Sequence, residues 1–217
     1  MTNGRFITLE GGEGTGKSTQ ARRLAAHLRT LGHDVVETRE PGGSPGAEAV
    51  RHVLLSGAAE PLGPVAEALL FAAARADHVK TLIRPALAAG KIVICDRFID
   101  STRVYQGAVG QVEAHLLDAL EEMATGGTRP DLTLILDVPP ETGLARAAAR
   151  GKGDPDRFEK EGVAYHAAVR EAFLARAAGA PMRCVLVDAT PDPDAVAAEI
   201  AGIVAARLRL HATAKAS

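Results

Sequence analysis

Apolar runs rich in β-branched residues alternate along the chain with stretches of helical spacing. Five apolar runs are predicted to form strands, at 6–10, 35–38, 92–96, 132–137 and 185–188. These runs are apolar at both alternating positions, as in strands that are covered on both faces. Helical spacing fills the intervals, at 17–31, 47–55, 65–88, 113–124, 141–149, 161–178 and 194–208. The alternation predicts an α/β fold with a five-stranded parallel sheet and helices on both faces.

The first predicted strand runs directly into a glycine-rich turn. Gly11, Gly16, Lys17 and Ser18 fit the phosphate-loop pattern G-x-x-x-x-G-K-[ST], with a strand before it and a helix after it. Glycines let consecutive backbone N–H groups face an anion, and the following helix adds its positive dipole end. Lys17 can reach the β- and γ-phosphates, and the Ser18 hydroxyl can bind Mg²⁺. The sequence therefore predicts a nucleoside triphosphate site at residues 11–18.

Length and composition narrow the class of protein. The 217 residues fit one domain spanning 1–217, and a net charge of −2 gives no global basic field for nucleic acid. No apolar run approaches the ~20 residues that span a bilayer, and no secretory signal is visible, so a cytoplasmic protein is expected. Cys95 and Cys184 are interpreted as buried side chains, and the seven histidines as surface or helix-end residues.

Polar residues follow four of the predicted strands. In open α/β sheets, ligands bind beyond the carboxyl ends of the strands, so these residues should converge on one site. Asp96 could orient waters on Mg²⁺, and Arg97 could hold a phosphate with two hydrogen bonds. The other polar groups follow the first, second and fifth strands, at 10–18, 39–40 and, less directly, 188–190.

Two further segments carry candidate chemistry. Phe71 and Arg75 share one helix face at i, i+4, where a ring and a guanidinium could stack a base and bond its edge. Phe71 also suits a core position. A basic helix end runs into the glycine-containing segment 146–158, which predicts a lid that closes over a transferring phosphate. A solvated basic loop is the alternative reading of that segment.

Together these motifs resemble the thymidylate (dTMP) kinase family, nucleoside monophosphate kinases of the phosphate-loop class. The resemblance runs from residue 5 to about 190, and its most specific elements are Arg-Glu-Pro-Gly-Gly at 39–43 and Ser-Thr-x-x-Tyr-Gln at 101–106. It implies a P-loop nucleotide kinase fold with a short lid. It also implies transfer of the γ-phosphoryl of ATP to dTMP for dTTP synthesis, with Mg²⁺ as cofactor, in a homodimer that binds neither nucleic acid nor membrane.

The resemblance also implies two nucleotide sites. Phe71 would stack on thymine, and Arg75 and Thr102 would bond its edge. Tyr105 would pack against the sugar, and Glu13 would meet the 3′-hydroxyl. The residues implied to bind dTMP are Glu13, Arg39, Glu40, Arg51, Phe71, Arg75, Arg97, Ser101, Thr102, Tyr105 and Gln106. Those implied to bind ATP are Gly11, Gly12, Glu13, Gly14, Thr15, Gly16, Lys17, Ser18, Thr19 and Arg146.

The catalytic set implied by the resemblance contains no strong base, because the acceptor phosphate is already mostly ionised near neutral pH. The phosphate loop holds no arginine at 12–15, so the chain resembles family members whose catalytic arginines come from the lid. Either of two lid arginines could reach the transferred group. The implied catalytic residues are Lys17, Arg97, Glu13, Arg150 and Arg157, and the implied metal site is Ser18 with Asp96 through water.

Three other functions remain open at this level. A deoxynucleoside kinase shares the phosphate loop but accepts a hydroxyl group, whereas the arginines after the strands favour a phosphate acceptor. Another monophosphate kinase would differ by a few base contacts. A GTP-binding switch protein would normally read guanine with Asn-Lys-x-Asp, but the only asparagine here is Asn3.

Overall fold

A single parallel sheet forms the centre of the molecule. The computed structural model describes residues 4–149 and 157–210. All strand pairs are parallel, and the strand order is β2-β3-β1-β4-β5. All five predicted strands are confirmed to within one residue at each end: β1 Arg5–Glu10, β2 Val35–Arg39, β3 Ile92–Asp96, β4 Leu132–Asp137 and β5 Cys184–Asp188.

Helices connect the strands and cover both faces of the sheet. The seven predicted helical stretches are confirmed, but the one predicted at 65–88 is interrupted by a π-helical turn over Val79–Ile83. A short helix at Ile99–Thr102 and a π-helical turn at Arg103–Val109 were missed. The α-helices are α1 Lys17–Thr30, α2 Pro45–Leu55, α3 Gly63–His78, α4 Arg84–Ala88, α5 Ile99–Thr102, α6 Ala114–Thr125, α7 Pro140–Ala149, α8 Val163–Gly179 and α9 Pro193–Leu208.

Each face of the sheet packs against its own apolar cluster. On one face, Leu24 of α1 and Ile200 of α9 pack with Leu134 of β4. On the other face, Ile83 of the π-helical turn packs with Phe6 of β1 and with Val93 and Cys95 of β3. Because both faces are covered, the strands are apolar at successive positions. The carboxyl ends of the strands are left for polar residues.

The start of α2 is capped from α3. Ser44 occupies the N-cap position and Pro45 the first helical position. The Ser44 hydroxyl, however, caps no backbone N–H group of α2 and instead donates to Asp77 Oδ2 at 2.6 Å. The same oxygen accepts the N–H groups of Gly46 and Ala47 at 3.1 and 3.3 Å. The Ser44 hydrogen bond lowers the pKa of Asp77, and the contact ties α2 to α3.

The length and apolar character of the helices in the described residues bear on whether they could span a membrane. No single helix there is long and apolar enough to cross a bilayer. One bent pair, Pro45–Leu55 with Glu60–Ala88 at an angle of 82°, meets the length and composition criteria when the two are taken together. Cys95 and Cys184 are both buried, as predicted.

Candidate active site

A cavity of about 670 Å³ opens at the carboxyl ends of the strands. Residues that follow β1, β2, β3 and β5 all contribute to its walls, which confirms the predicted convergence. The predicted site residues that line it are Glu13, Gly14, Thr15, Gly16, Lys17, Ser18, Thr19, Arg39, Glu40, Arg51, Phe71, Arg75, Asp96, Arg97, Ser101, Thr102, Tyr105, Gln106 and Arg146. Gly11 and Gly12 are not among the lining residues but belong to the same phosphate loop.

The phosphate loop forms one end of this cavity. Lys17 is buried, and its Nζ donates to Gly12 O at 2.6 Å. Burial and the nearby charge of Arg97 lower the pKa of Lys17 to about 8. Gly14 has a φ of 68°, and a Cβ there would overlap the Gly143 backbone of α7, so only glycine fits this turn.

A hydroxyl group and a carboxylate group lie next to the phosphate loop. The Ser18 hydroxyl, in the first turn of α1, donates to Asp96 Oδ2 at the end of β3. β3 pairs directly with β1, which leads into the loop, and this register brings the two side chains together. Hydroxyl and carboxylate oxygens are the ligand types that Mg²⁺ prefers, so the donor set fits that ion.

A charged cluster links the loop to the segment after β3. Arg97 has a φ of 69° and donates to Gly11 O at 3.0 Å and to Ser101 Oγ at 3.2 Å. It also pairs with Glu13, which accepts the Tyr105 hydroxyl at 3.1 Å. Burial would raise the pKa of Glu13, but the charges of Arg97 and Lys17 lower it to about 2. Glu13 is therefore an anion held among cations at neutral pH.

Arg75 and Phe71 line the other end of the cavity. Arg75 is buried and donates from Nε to Glu40 Oε2 at 2.7 Å. Its Nη2 donates to Phe98 O at 3.0 Å and to Thr102 Oγ1 at 3.1 Å. Phe71 lies one turn earlier and is only half-buried, with some of its surface packed on a neighbouring apolar cluster. The i, i+4 spacing thus brings a ring and a guanidinium to one wall.

Two histidines correct the sequence interpretation. His78 and His166 are buried rather than at the surface. His78 lies at the end of α3, where Nδ1 pairs with Glu40 Oε1 at 3.0 Å and Nε2 with Thr38 Oγ1 at 2.6 Å. Glu40, predicted to bind dTMP, therefore has both carboxylate oxygens engaged by Arg75 and His78.

Two of the predicted phosphate-binding arginines lie at the edge of the cavity. Arg39 is 55% exposed and donates from Nη2 to the Glu48 carboxylate at 3.1 and 3.3 Å. Arg51 donates to Pro41 O at 2.6 Å, which fixes its guanidinium against the turn after β2. Arg39 is the last residue of β2, and Arg51 lies in α2, the helix that comes next.

The lid residues differ in position. Arg146 donates to Ala189 O at 2.8 Å and Thr190 O at 3.0 Å, which holds the loop after β5 at the cavity. Arg157 does not line the cavity, and its Nη1 lies 2.6 Å from Glu67 Oε1. Arg150, like positions 151–156 of the predicted lid, lies outside the described residues.

Two further buried carboxylates shape the site: Glu67, which was missed, and Glu10, which was predicted only as one of the polar residues at the end of the first strand. Glu67 accepts the Gln106 side chain at 3.3 Å. Glu10 accepts the Phe98 and Ser101 N–H groups at 2.8 and 3.2 Å and the Ser101 hydroxyl at 2.6 Å. Burial and the nearby Asp100 raise the pKa of Glu10 to about 7. The available signal was a charged residue in an apolar environment, since Glu10 ends an otherwise apolar strand.

The family model and the similar proteins described below all carry the same description. A family model described as thymidylate kinase matches residues 9–200. The thymidylate kinase of Caulobacter vibrioides is 57% identical over 210 residues, or 97% of this chain and 100% of that protein. That of Nitrobacter winogradskyi is 60% identical over 198 residues, or 91% of this chain and 86% of that protein. A crystal structure of a thymidylate kinase from Ehrlichia chaffeensis has a TM-score of 0.74 at 34% identity and covers 93% of this chain and 98% of that one.

Proposed function

The chain belongs to the thymidylate kinase family, and from that premise we propose how its own residues move a phosphoryl group. It is an ATP-dependent enzyme that transfers the γ-phosphoryl group of ATP to dTMP and yields dTDP and ADP, on the P-loop fold of that family. One observation supports the proposed assignment of a donor end and an acceptor end. A continuous cavity joins the phosphate loop to Phe71 and Arg75, so two nucleotides can meet with their phosphates facing each other.

The donor end of the cavity is the phosphate loop. The loop N–H groups and the N-terminus of α1 would hold the β- and γ-phosphates of ATP, and Lys17 would neutralise part of their charge. Arg146 would act next to the adenosine, because its hydrogen bonds hold the loop at Ala189 and Thr190 against the cavity. The remaining donor contacts are proposed for Gly11, Gly12, Glu13, Gly14, Thr15, Gly16, Ser18 and Thr19.

The Ser18–Asp96 pair would hold Mg²⁺, Ser18 directly and Asp96 through water. When bound, the ion neutralises charge on the β- and γ-phosphate oxygens of the donor. In the structure, Ser18 donates its proton to Asp96, which turns a lone pair of the hydroxyl away from the carboxylate and leaves it available. Asp96 thereby orients the Ser18 side chain.

The acceptor end of the cavity would bind the base, the sugar and the phosphate of dTMP through different residues. Phe71 would stack on the base, while Arg75 and Thr102 bond its edge. Glu13 and Tyr105, which share a hydrogen bond, would contact the sugar. The phosphate would lie between arginines, and the further acceptor contacts are proposed for Arg39, Glu40, Arg51, Arg97, Ser101 and Gln106. Of these, Glu40 would act through Arg75, because its oxygens are already engaged.

The proposed chemistry is positioning and charge neutralisation. Two anions must approach in line, and the acceptor oxygen needs no strong base. Lys17 and Arg97 both lie near Glu13, and their charges would oppose repulsion between the two substrates. Lid arginines would stabilise charge that develops on the transferred group. Arg150 and Arg157 stay predictions in that role, and Arg157 would first have to leave Glu67.

A substrate comparison tests the function. Purified enzyme is offered ATP with dTMP, thymidine, dCMP, dGMP or AMP, and ADP release is followed in a coupled assay. The expected result is the highest kcat/KM for dTMP and no turnover of thymidine, because the arginine-lined acceptor end favours a phosphate. Turnover of thymidine above that of dTMP would instead indicate a deoxynucleoside kinase.

ATP binding is expected to weaken at high pH. Since the pKa of Lys17 is lowered to about 8, the free enzyme carries the charge below that pH and loses it above. A Kd that depends on this charge should rise about tenfold from pH 7 to pH 9, measured by titration calorimetry with ATP and Mg²⁺. In Lys17→Arg the guanidinium stays charged throughout, so the pH dependence should disappear. The same rise in Lys17→Arg would contradict the assignment.

Assembly and location are proposals as well. We propose a homodimer, as the family resemblance implies. Exposed apolar side chains on α3 and on the two helices that pack against it support a second copy as partner: Val53 on α2, Val65 and Leu69 on α3, and Met123 on α6. A cytoplasmic location is proposed because the nucleotide pools that supply DNA synthesis are cytoplasmic.

A further inference from the structure

Arg75 presents only one of its nitrogens to a ligand. A guanidinium has five N–H groups, and three of those of Arg75 are used by Glu40, Phe98 and Thr102. Within the described residues, Nη1 has no hydrogen-bond partner. Because Arg75 lines the cavity, its Nη1 is the donor group that remains for a bound nucleotide. The direction of Nη1 is set by whatever fixes the rest of the guanidinium.

Glu40 fixes the guanidinium and is itself fixed by His78. Its Oε2 accepts Arg75 Nε at 2.7 Å, and its Oε1 lies 3.0 Å from His78 Nδ1. A carboxylate can only accept here, so Nδ1 carries the proton, and the Thr38 hydroxyl can donate to Nε2 at 2.6 Å. The Glu40 side chain is 4% exposed and that of His78 is 0% exposed. We refer to these three residues as the Thr38–His78–Glu40 network.

The local sequence builds this network from two segments. Arg75 and His78 are three residues apart on α3 and therefore share a face that meets Glu40. The N–H group of Glu40 donates to Asp96 O at 2.9 Å, which anchors the end of β2. Gly43 has a φ of 86°, and a Cβ there would overlap both Thr38 Oγ1 and His78 Nε2. The glycine thus leaves the space in which the threonine and histidine meet.

We propose that the Thr38–His78–Glu40 network determines base specificity by holding Arg75 Nη1 as a fixed hydrogen-bond donor. The inference rests on the proposed contact of Arg75 with the base. Thymine carries a carbonyl oxygen at position 4, whereas cytosine carries an amino group there. A fixed donor bonds the first and opposes the second. A guanidinium that can turn away loses part of that discrimination, so His78 is a positioning residue that touches no substrate.

The test replaces His78 and measures kinetics for both nucleotides. His78→Leu fills the buried position with an apolar side chain and removes both ring nitrogens. The KM for dTMP should rise about tenfold, the KM for ATP should not change, and the preference for dTMP over dCMP in kcat/KM should fall. His78→Asn keeps a donor near Nδ1 and should restore part of the preference. Thr38→Val removes only the distal hydroxyl and should cause a smaller change in the same direction.

Val79→Ala is the matched control for lost stability. Val79 follows His78 and is 1% exposed, but it packs in the apolar cluster of Phe6 on the sheet. The control should lower the melting temperature without changing the ratio of the two KM values. Unchanged dTMP kinetics in His78→Leu, or equal rises in the KM for ATP and dTMP, would overturn the inference.

Arg75→Ala separates this inference from the function on which it rests. If Arg75→Ala leaves the KM for dTMP unchanged, base reading by Arg75 is wrong, and the role of the network is wrong with it. If Arg75→Ala raises that KM and His78→Leu does not, only the role of the network is wrong. Neither variant tests which reaction the enzyme catalyses, which the substrate comparison decides.

Discussion

Replacing Lys17 with alanine is expected to lower kcat about 10²- to 10³-fold, the usual cost of removing one preorganised cation or donor from a charged transition state. The ammonium group lies inside the phosphate loop, where it donates to Gly12 O, and it faces the cavity that ATP would occupy. Steady-state kinetics at saturating ATP and dTMP measure the effect. Circular dichroism and a melting curve establish that the variant is folded.

Lys80→Ala is the control for the Lys17 variant. Lys80 is an exposed lysine on the π-helical turn after α3 and does not line the cavity. Its replacement should leave kcat unchanged. The fold should survive the loss of Lys17, because Arg97 still compensates the charge of Glu13. A Lys17→Ala enzyme with near-native turnover would refute the proposed role of the loop lysine.

Replacing Arg75 with alanine is expected to raise the KM for dTMP about 100-fold, since a buried charged hydrogen bond contributes about 1.5–3 kcal/mol. The KM for ATP should change little, because Arg75 lies on α3, whereas the phosphate loop forms the other end of the cavity. Kinetics with each nucleotide varied separately, and binding of each alone, give the two numbers.

Arg84→Ala is the control for the Arg75 variant. Arg84 also makes several hydrogen bonds, to Thr125 O, Gly126 O and the Thr128 hydroxyl, but it is not among the residues that line the cavity. Its loss should lower stability and leave both KM values near native. If Arg75→Ala weakens ATP and dTMP equally, the residue does not read the acceptor base.

The strands were predictable because burial on both faces imposes apolar residues at successive positions. The missed helix α5 is different. It has only four residues, and the segment that continues it, Arg103–Val109, is a π-helical turn. Helices this short are not stable alone. The segment is held by tertiary contacts instead: Glu10 binds its start, and Arg176 and Arg183 bind Asp100.

The candidate site was likewise predictable only in part. The residues of the phosphate loop are neighbours in sequence, so they were identified from their spacing. Asp96 was expected near the loop because residues at the carboxyl ends of parallel strands converge. Three partners of Glu40 and Glu67 were not predictable, because Arg75, His78 and Gln106 each lie 35 to 39 positions from the carboxylate that they contact and meet it only after folding. His78 carries no spacing signal; it lies at a helix end, as the interpretation allowed, but it is buried rather than at the surface. Its burial follows from its contacts with Thr38 and Glu40 and from its close approach to Gly43.

The proposed catalysis depends on cations from separate segments that surround two nucleotides in one cavity. A crystal structure of the enzyme with dTMP and a non-hydrolysable ATP analogue bound together would decide the matter. The expected map shows Lys17 against the donor phosphates, Arg97 against the acceptor phosphate, and Arg75 Nη1 within hydrogen-bond distance of the thymine edge. A map in which both nucleotides bind and these three side chains contact neither would contradict the account.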